Sequence, residues 1–301
     1  MTFSTPPRSQ ALQGVRILSL ALNLPGPAAL MRCRAMGAQC VKLEPPPPAG
    51  AAHGASADPL QNYCATAYAQ MHSGIRTVVA DLKSDKGRTV LHRQLAKADV
   101  LLTSFRPSAL ARLGLGWKDL HKAYPRLSMV AIVGAPGARA EEPGHDLTYM
   151  AENQLLSGLN LPPSLYADMG GSLMVSEAIL QARLLQLQKG KSVRLQVALS
   201  EAAAYLGLPR SWGLTAPGTA VGGGHAGYQV YACKDGRVAV AALEPHFAAA
   251  LAELAGLPDA RFQTLFTPEA HAAMQAFMQG KTRKQLDALA SAHDIPLHTL
   301  G

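Results

Sequence analysis

Short apolar runs alternate along this chain with longer segments whose apolar residues return at helical spacing. Val15 to Leu20 predicts a short buried strand. Pro25-Gly26-Pro27 predicts a turn, and Ala28 to Met36 a helix closed by Gly37, where left-handed backbone is favoured. Gln39 to Leu43 predicts a second strand. The proline run Pro45 to Pro48 ends it and forces an extended segment. Thr77 to Ala80, Val100 to Thr103 and Leu127 to Val133 predict further strands. Asp85 to Ala98 predicts a helix with Val90, Leu91 and Leu95 on one face, and Pro107 to Leu113 a helix opened by proline at its first position. Strands that alternate with helices imply a parallel sheet with helices on its faces.

Gly170 to Gln188 predicts one long helix. Leu173, Leu180, Leu184 and Leu187 form one stripe, with Val175 and Ile179 on another side, so most of its circumference is expected to be buried. Lys189-Gly190-Lys191 ends it, with cations at the negative end of the helix dipole. Val193, Leu195, Val197 and Leu199 alternate as in a half-buried strand. Ser211 to Gly227, rich in Gly, Thr and Pro, reads as a loop. Tyr228 to Ala242 predicts a hairpin around Lys234-Asp235-Gly236, and Pro245 to Ala255 and Pro268 to Met278 predict helices. The fold class expected is therefore α/β: a Rossmann-like large domain with a parallel sheet over residues 1–205, a linker over 206–227, and a smaller α+β domain over 228–301. A chain of 301 residues, 48% hydrophobic, is long enough to fill two cores.

Charge narrows the partners. The net charge of +8 suits a polyanion. The Lys and Arg residues are scattered, without basic runs or interleaved aromatics, which argues against nucleic acid and for a phosphorylated small molecule. Cys33, Cys40, Cys64 and Cys233 match neither zinc spacing nor a disulfide framework, so reduced thiols, no metal and a cytoplasmic location are expected. Met1 to Gln10 is polar, with no apolar core of a signal peptide. Ile17 to Met31, the most apolar stretch near it, is interrupted by Asn23, Pro25 and Pro27, and no segment is expected to span a membrane. The G-x-G-x-x-G, P-loop and G-x-S-x-G patterns are absent, so the sheet by itself implies neither NAD nor FAD.

Three segments place titratable residues beside glycine or proline: Pro143 to Tyr149, Tyr166 to Gly171, and Ala242 to Phe247. Asp168 precedes the long helix and is suited to cap it. A carboxylate there can equally be a reacting group, because the free N–H groups of a helix start can hold a developing oxyanion. Gly170 and Gly171 let a ligand approach the backbone. His145 reads either as a surface histidine or as an acid/base group. Glu244 before Pro245 reads as a candidate helix cap. His293 and His298 read as solvated.

Together with other stretches, these segments resemble the class III CoA-transferase family. The stretches are Leu12-Gln13-Gly14-Val15-Arg16-Ile17-Leu18, Pro25-Gly26-Pro27, Met36 to Pro46, and above all Ser104-Phe105-Arg106-Pro107-Ser108-Ala109-Leu110-Ala111-Arg112-Leu113-Gly114-Leu115-Gly116-Trp117-Lys118-Asp119-Leu120. The resemblance covers nearly the whole chain. It implies a Rossmann-like large domain, a small domain, an interlocked homodimer, and acyl-CoA as substrate with no permanently bound cofactor. It implies that Arg106 lies near the CoA nucleotide and that Lys42, Gly144, Asp146, Tyr149, Gly170 and Gly171 also contribute to binding CoA.

Asp168 matches the family aspartate, which is a covalent nucleophile in transferases and half of an acid/base pair in racemases. Gly144-His145-Asp146-Leu147-Thr148-Tyr149-Met150-Ala151 resembles the racemase version. The implied chemistry is epimerisation of a 2-methylacyl-CoA by Asp168 and His145, with Glu244 orienting the imidazole. Transfer of CoA between acids through a covalent Asp168 intermediate is the alternative, and a non-catalytic CoA-binding paralogue a third. Met150, Leu155 and Leu156 suit either an acyl chain or a core. Met71-His72-Ser73-Gly74-Ile75-Arg76 replaces the family's Asn-Arg-Gly-Lys, so one basic contact to CoA is expected to be missing. The chain stops at Gly301, before the family's return to the large domain.

Overall fold

The structure, a computed structural model, describes residues 10–52 and 54–301. The reading of the polar N-terminal stretch therefore falls, except for Gln10, outside the described residues. The chain divides into two compact units, the second beginning at Leu208.

The first unit runs β1 (Arg16–Ser19), α1 (Pro25–Ala35), β2 (Gln39–Glu44), α2 (Pro59–Tyr63), α3 (Ala65–His72), β3 (Arg76–Val79), α4 (Asp85–Leu95), β4 (Val100–Thr103), α5 (Pro107–Arg112), α6 (Trp117–Ala123), β5 (Ser128–Val133), α7 (Asp146–Glu152), α8 (Tyr166–Lys189), β6 (Arg194–Ala198) and α9 (Leu199–Leu206). The strands form a six-stranded sheet in the order β3-β2-β1-β4-β5-β6, parallel at every pairing. One face carries Ile17, Leu102, Val130 and Ile132 against α1, α8 and α9. The other carries Leu18, Leu43, Leu101 and Met129 against α4, α5 and α6. β4 and β5 are buried at every position, as strands covered on both faces must be. From β1 the chain steps outward to β2 and β3, then returns to β4 on β1's other side. The loops leaving β1 and β4 diverge there and open a crevice at the carboxyl ends of the strands.

Pro25-Gly26-Pro27 does not precede α1 as a turn but forms its first turn. Proline fits there because those N–H groups have no helical acceptor. Two of the first three donors are thereby deleted at the corner where Rossmann sheets normally grip phosphate. Gly26 is required by packing, since a Cβ would lie 2.3 Å from that of Ala21.

α8 is longer than the predicted Gly170–Gln188 and is buried differently. Its covered face is built of small and β-branched residues: Ala167, Gly171, Val175, Ala178, Ile179 and Ala182. Leu173, Leu184 and Leu187 are 50%, 53% and 67% exposed. The small face allows close approach to α1 and α9; of the leucine stripe, Leu173, Leu184 and Leu187 are left outside while Leu180 packs against the core. The alternation from Val193 also breaks early, because Leu199 already opens α9. α2, α3, α6 and α7 were not anticipated; each has eight residues or fewer, too short for a periodic signature.

The second unit contains α10 (Leu208–Ser211), β7 (Tyr228–Cys233), β8 (Gly236–Ala241), α11 (Pro245–Leu254), α12 (Pro268–Gln279), α13 (Arg283–His293) and β9 (Leu297–Leu300). Its three strands form an antiparallel sheet, β7-β8-β9, over a core that includes Val238, Leu251, Met274 and Leu286. Cys233 pairs with Gly236, so Lys234 and Asp235 make the predicted hairpin turn. α13 and β9 were not anticipated. The hydroxyl of Thr282 accepts from the N–H of Gln285, and the Gln285 side chain reaches back to the N–H of Thr282, a reciprocal cap that starts α13. His293 and His298 are exposed, as expected. Among the described residues no helix is long and apolar enough to cross a membrane.

Candidate active site

A cavity of about 170 Å³ lies within the first unit at the crevice. It is lined by Asn23 and Pro25 after β1, Ser104 and Arg106 after β4, Gly134 after β5, and then Glu142, Gly144, His145, Tyr149 and Asp168. Asp168, His145, Arg106, Gly144 and Tyr149, all named from the sequence, therefore meet in one place.

Asp168 is not the cap of α8. It is the third residue of that helix, and Leu165 occupies the cap position. The capping task falls to Asp146, whose buried carboxylate accepts the N–H of Asp168 at 3.0 Å. Asp146, which the resemblance places at CoA, serves here as the acceptor at the start of α8, while the Asp168 carboxylate lines the cavity. No described residue donates a hydrogen bond to that carboxylate. Burial, and after it the negative charge of Asp146, push Asp168 from 3.8 up to about 7. The positive end of α8 pulls the other way, but a dipole worth roughly half a charge does not offset desolvation and a full carboxylate.

His145 immediately precedes α7. Its N–H donates to Thr148 Oγ1 at 3.1 Å, and the Thr148 hydroxyl donates back to the His145 carbonyl at 2.7 Å. The backbone is pinned and the imidazole stands exposed at the cavity rim. Tyr149 is 7% exposed and wedged between two glycines. A Cβ at Gly134 or Gly144 would lie 2.5 or 2.6 Å from its hydroxyl oxygen. Gly144 therefore makes room for Tyr149. Burial, and then the charge of Asp168, raise the phenol of Tyr149.

Gly170 and Gly171 do not open the backbone to a ligand. A Cβ on Gly171 would come within 2.3 Å of Leu199, and one on Gly170 within 3.1 Å of Leu206, so both glycines seat α8 on α9. Met150 is in the core, with Leu155 and Leu156 packed against it. Glu244 lies in the second unit, immediately before α11, and makes no capping bond to that helix.

Lys42 is fully buried and cannot touch a ligand as placed. Its ammonium donates to Asp58, to Glu44 at 2.8 Å and to His72 Nε2 at 2.9 Å, which uses all three protons. His72 Nδ1 lies 2.7 Å from the carbonyl of Tyr68, so Nδ1 carries the hydrogen and Nε2 accepts from Lys42. Burial, reinforced by the Lys42 charge, holds His72 below its ordinary value and keeps it neutral. Glu44, Asp58 and His72 have the spacing of a metal site, but the ammonium stands where a cation would. The other oxygen of Asp58 accepts the N–H groups of Asn23, at 2.9 Å, and Leu60. The buried network thereby holds a cavity-lining residue whose φ is +63°. Sequence reasoning missed Asn23, Ser104 and Glu142. The one available signal was Asn23, a residue type that tolerates left-handed backbone, at the end of a strand.

A doubly wound sheet with a carboxylate and a histidine at its switch point defines the class; the sequence family is narrower. The family model "CoA-transferase family III" matches residues 12–300, and the chain belongs to that family. It is 30% identical to human alpha-methylacyl-CoA racemase over 255 residues, 79% of this chain and 63% of that protein. To the mouse alpha-methylacyl-CoA racemase it is 32% identical over 267 residues, 82% of this chain and 65% of that protein. A cinnamoyl-CoA:phenyllactate CoA-transferase from Clostridium sporogenes is 29% identical over 204 residues, 64% of this chain and 50% of that enzyme. The chain thus spans less than two thirds of the length of these relatives. The crystal structure of Rv3272 from Mycobacterium tuberculosis superimposes with a TM-score of 0.79 at 24% identity, over 96% of this chain and 83% of that one. The likeness shows the fold.

Proposed function

We propose that the first unit binds the thioester end of a 2-methylacyl-CoA and moves its α-proton between Asp168 and His145. One group removes the proton from one face of the α-carbon, and the other returns a proton to the opposite face. The observation that carries this reading is that both side chains line one cavity while the carboxyl group is held near neutrality. An acid/base group works best when its pKa is close to the working pH. A carboxylate acting as nucleophile gains nothing from being kept protonated. Arg106, exposed beside the cavity, is suited to a phosphate of the CoA moiety. Glu244, in the second unit, takes no part in this reading. The leucine stripe of α8 and the exposed Tyr205 supply apolar surface for a second copy of the chain; light scattering that finds only monomers at micromolar concentration would exclude it.

A second reading rests on the same carboxylate, open to the cavity and free of hydrogen-bond donors. Asp168 would attack the thioester carbonyl, release CoA as its thiolate and form a mixed anhydride; a second carboxylate would displace the first acid at the Asp168 carbonyl, and the CoA thiolate would then attack the new acyl carbon, giving the new thioester and freeing Asp168. Incubation with 2-methylacyl-CoA in deuterated water separates the two. Deuterium should enter at C2, and Asp168→Asn or His145→Gln should each abolish the uptake. Movement of CoA to a free carboxylic acid without deuterium uptake would overturn the proton-transfer reading.

A further inference from the structure

A second cavity, about 520 Å³, opens at the opposite end of the same sheet. The catalytic candidates follow the carboxyl ends of β1, β4 and β5. This cavity is bounded instead by residues that begin strands: Arg16 at the start of β1, Gln39 at the start of β2 and Arg76 at the start of β3. Gln94, Lys97 and Ala98, from the end of α4 and the turn after it, close the other side. The two sites share no residue.

The lining has two characters. Val41 and Ala98 form an apolar floor continuous with the core beneath α4. Arg16, Arg76 and Lys97 form a cationic rim, and all three are exposed. None makes a salt bridge with a described residue, although Arg88, Arg139, Arg261 and Arg283 elsewhere each do. The carboxylate closest in the chain, Asp99, accepts the backbone N–H of Arg16 at 2.8 Å and leaves the guanidinium free. Arg76 donates to the Gln94 amide oxygen at 3.1 Å, which steadies it without neutralising it.

The carboxyl end of α4 also points here and opposes an anion. Its contribution is roughly half a charge, and the backbone N–H groups of Ala96, Lys97 and Ala98 already bond three of its last carbonyls. Three full positive charges outweigh it even together with the single negative charge of Asp99. A cavity of this size accommodates a nucleotide-sized molecule. Its composition selects an anionic head and an apolar or planar body, with the Gln39 and Gln94 amides available to hydrogen-bond the edge of a ring.

We propose that this cavity is a binding site for an organic phosphate of nucleotide size, separate from the candidate active site. The phosphate sits among Arg16, Arg76 and Lys97, and the body rests on Val41 and Ala98.

The test is calorimetric titration of the full chain with AMP and, separately, with inorganic pyrophosphate. Each would be run on the unaltered protein and on Arg16→Gln, Arg76→Gln and Arg106→Gln. The changed residues are exposed, and circular dichroism confirms folding of each variant. AMP should occupy one site per chain that survives Arg106→Gln, distinct from any weaker binding at the candidate active site. Arg16→Gln and Arg76→Gln should each weaken binding there at least about tenfold, the scale of one lost charge-assisted contact. Arg106→Gln, at the other end of the sheet, should leave it unchanged. Pyrophosphate should bind more weakly than AMP, because it cannot use the apolar floor. Three outcomes overturn the proposal: no AMP binding at millimolar concentration, AMP binding lost only in Arg106→Gln, or pyrophosphate binding as tightly as AMP.

Discussion

Asp168 should cost the protein stability at the pH where it works, and Asp168→Asn should recover it. Unfolded, the carboxyl ionises near 3.8; folded, it ionises near 7. Between those values the folded chain holds a proton that the unfolded chain has released. Folding is therefore opposed progressively as pH rises through the interval, and the penalty is complete above pH 7. About three pKa units at about 1.4 kcal/mol each give a ceiling of about 4 kcal/mol. The amide keeps the size of the side chain and forfeits no hydrogen bond to a described residue. Urea unfolding of both proteins at pH 4, 6 and 8 measures the effect. The variant should match the parent at pH 4, within a constant offset, and gain up to about 4 kcal/mol over it at pH 8. For a unit of this size that corresponds to a rise in melting temperature of about 10 °C. A stability difference that does not change with pH would refute the reasoning, because it would mean that the carboxyl group is solvated and ordinary.

Asp146→Asn removes the second contributor to the raised Asp168 value. The acid limb of kcat/KM against pH should shift downward yet stay well above 3.8, because burial is the larger cause; an unmoved limb would show that the Asp146 charge does not reach Asp168. Lys42→Met leaves Glu44 and Asp58 buried without their cation and should destabilise the protein by about 3–5 kcal/mol in urea unfolding, whereas a loss below about 1 kcal/mol would mean that water enters the network.

The parallel strands were legible because burial on both faces makes β4 and β5 read as unbroken apolar runs. The orientation of α8 was not. A hydrophobic pattern marks both the leucine stripe and the alanine-glycine face as apolar. Which of them is covered depends on how closely α1 and α9 approach, which is a tertiary matter. Asp168 lies inside the first turn of α8 rather than at its cap, and the acceptor for its backbone N–H comes from Asp146, 22 residues earlier and on another helix, which no local pattern reveals. Lys42, placed at CoA by the resemblance, is instead enclosed by Glu44, Asp58 and His72, which converge on it from three separate elements or loops. Tyr149 was picked by resemblance, but the need for Gly134 beside it was visible only once β5 and α7 were placed.

The two prolines in the first turn of α1 have a consequence for how this corner can change. With main-chain donors removed, an anion docking there must be gripped by side chains such as Arg106, Ser104 and Asn23. Main-chain donors persist through almost any substitution, whereas a side-chain grip is rewritten by a single codon. The scaffold can therefore exchange one ligand for another without moving its backbone, and its selectivity is a property of a few replaceable residues rather than of the fold.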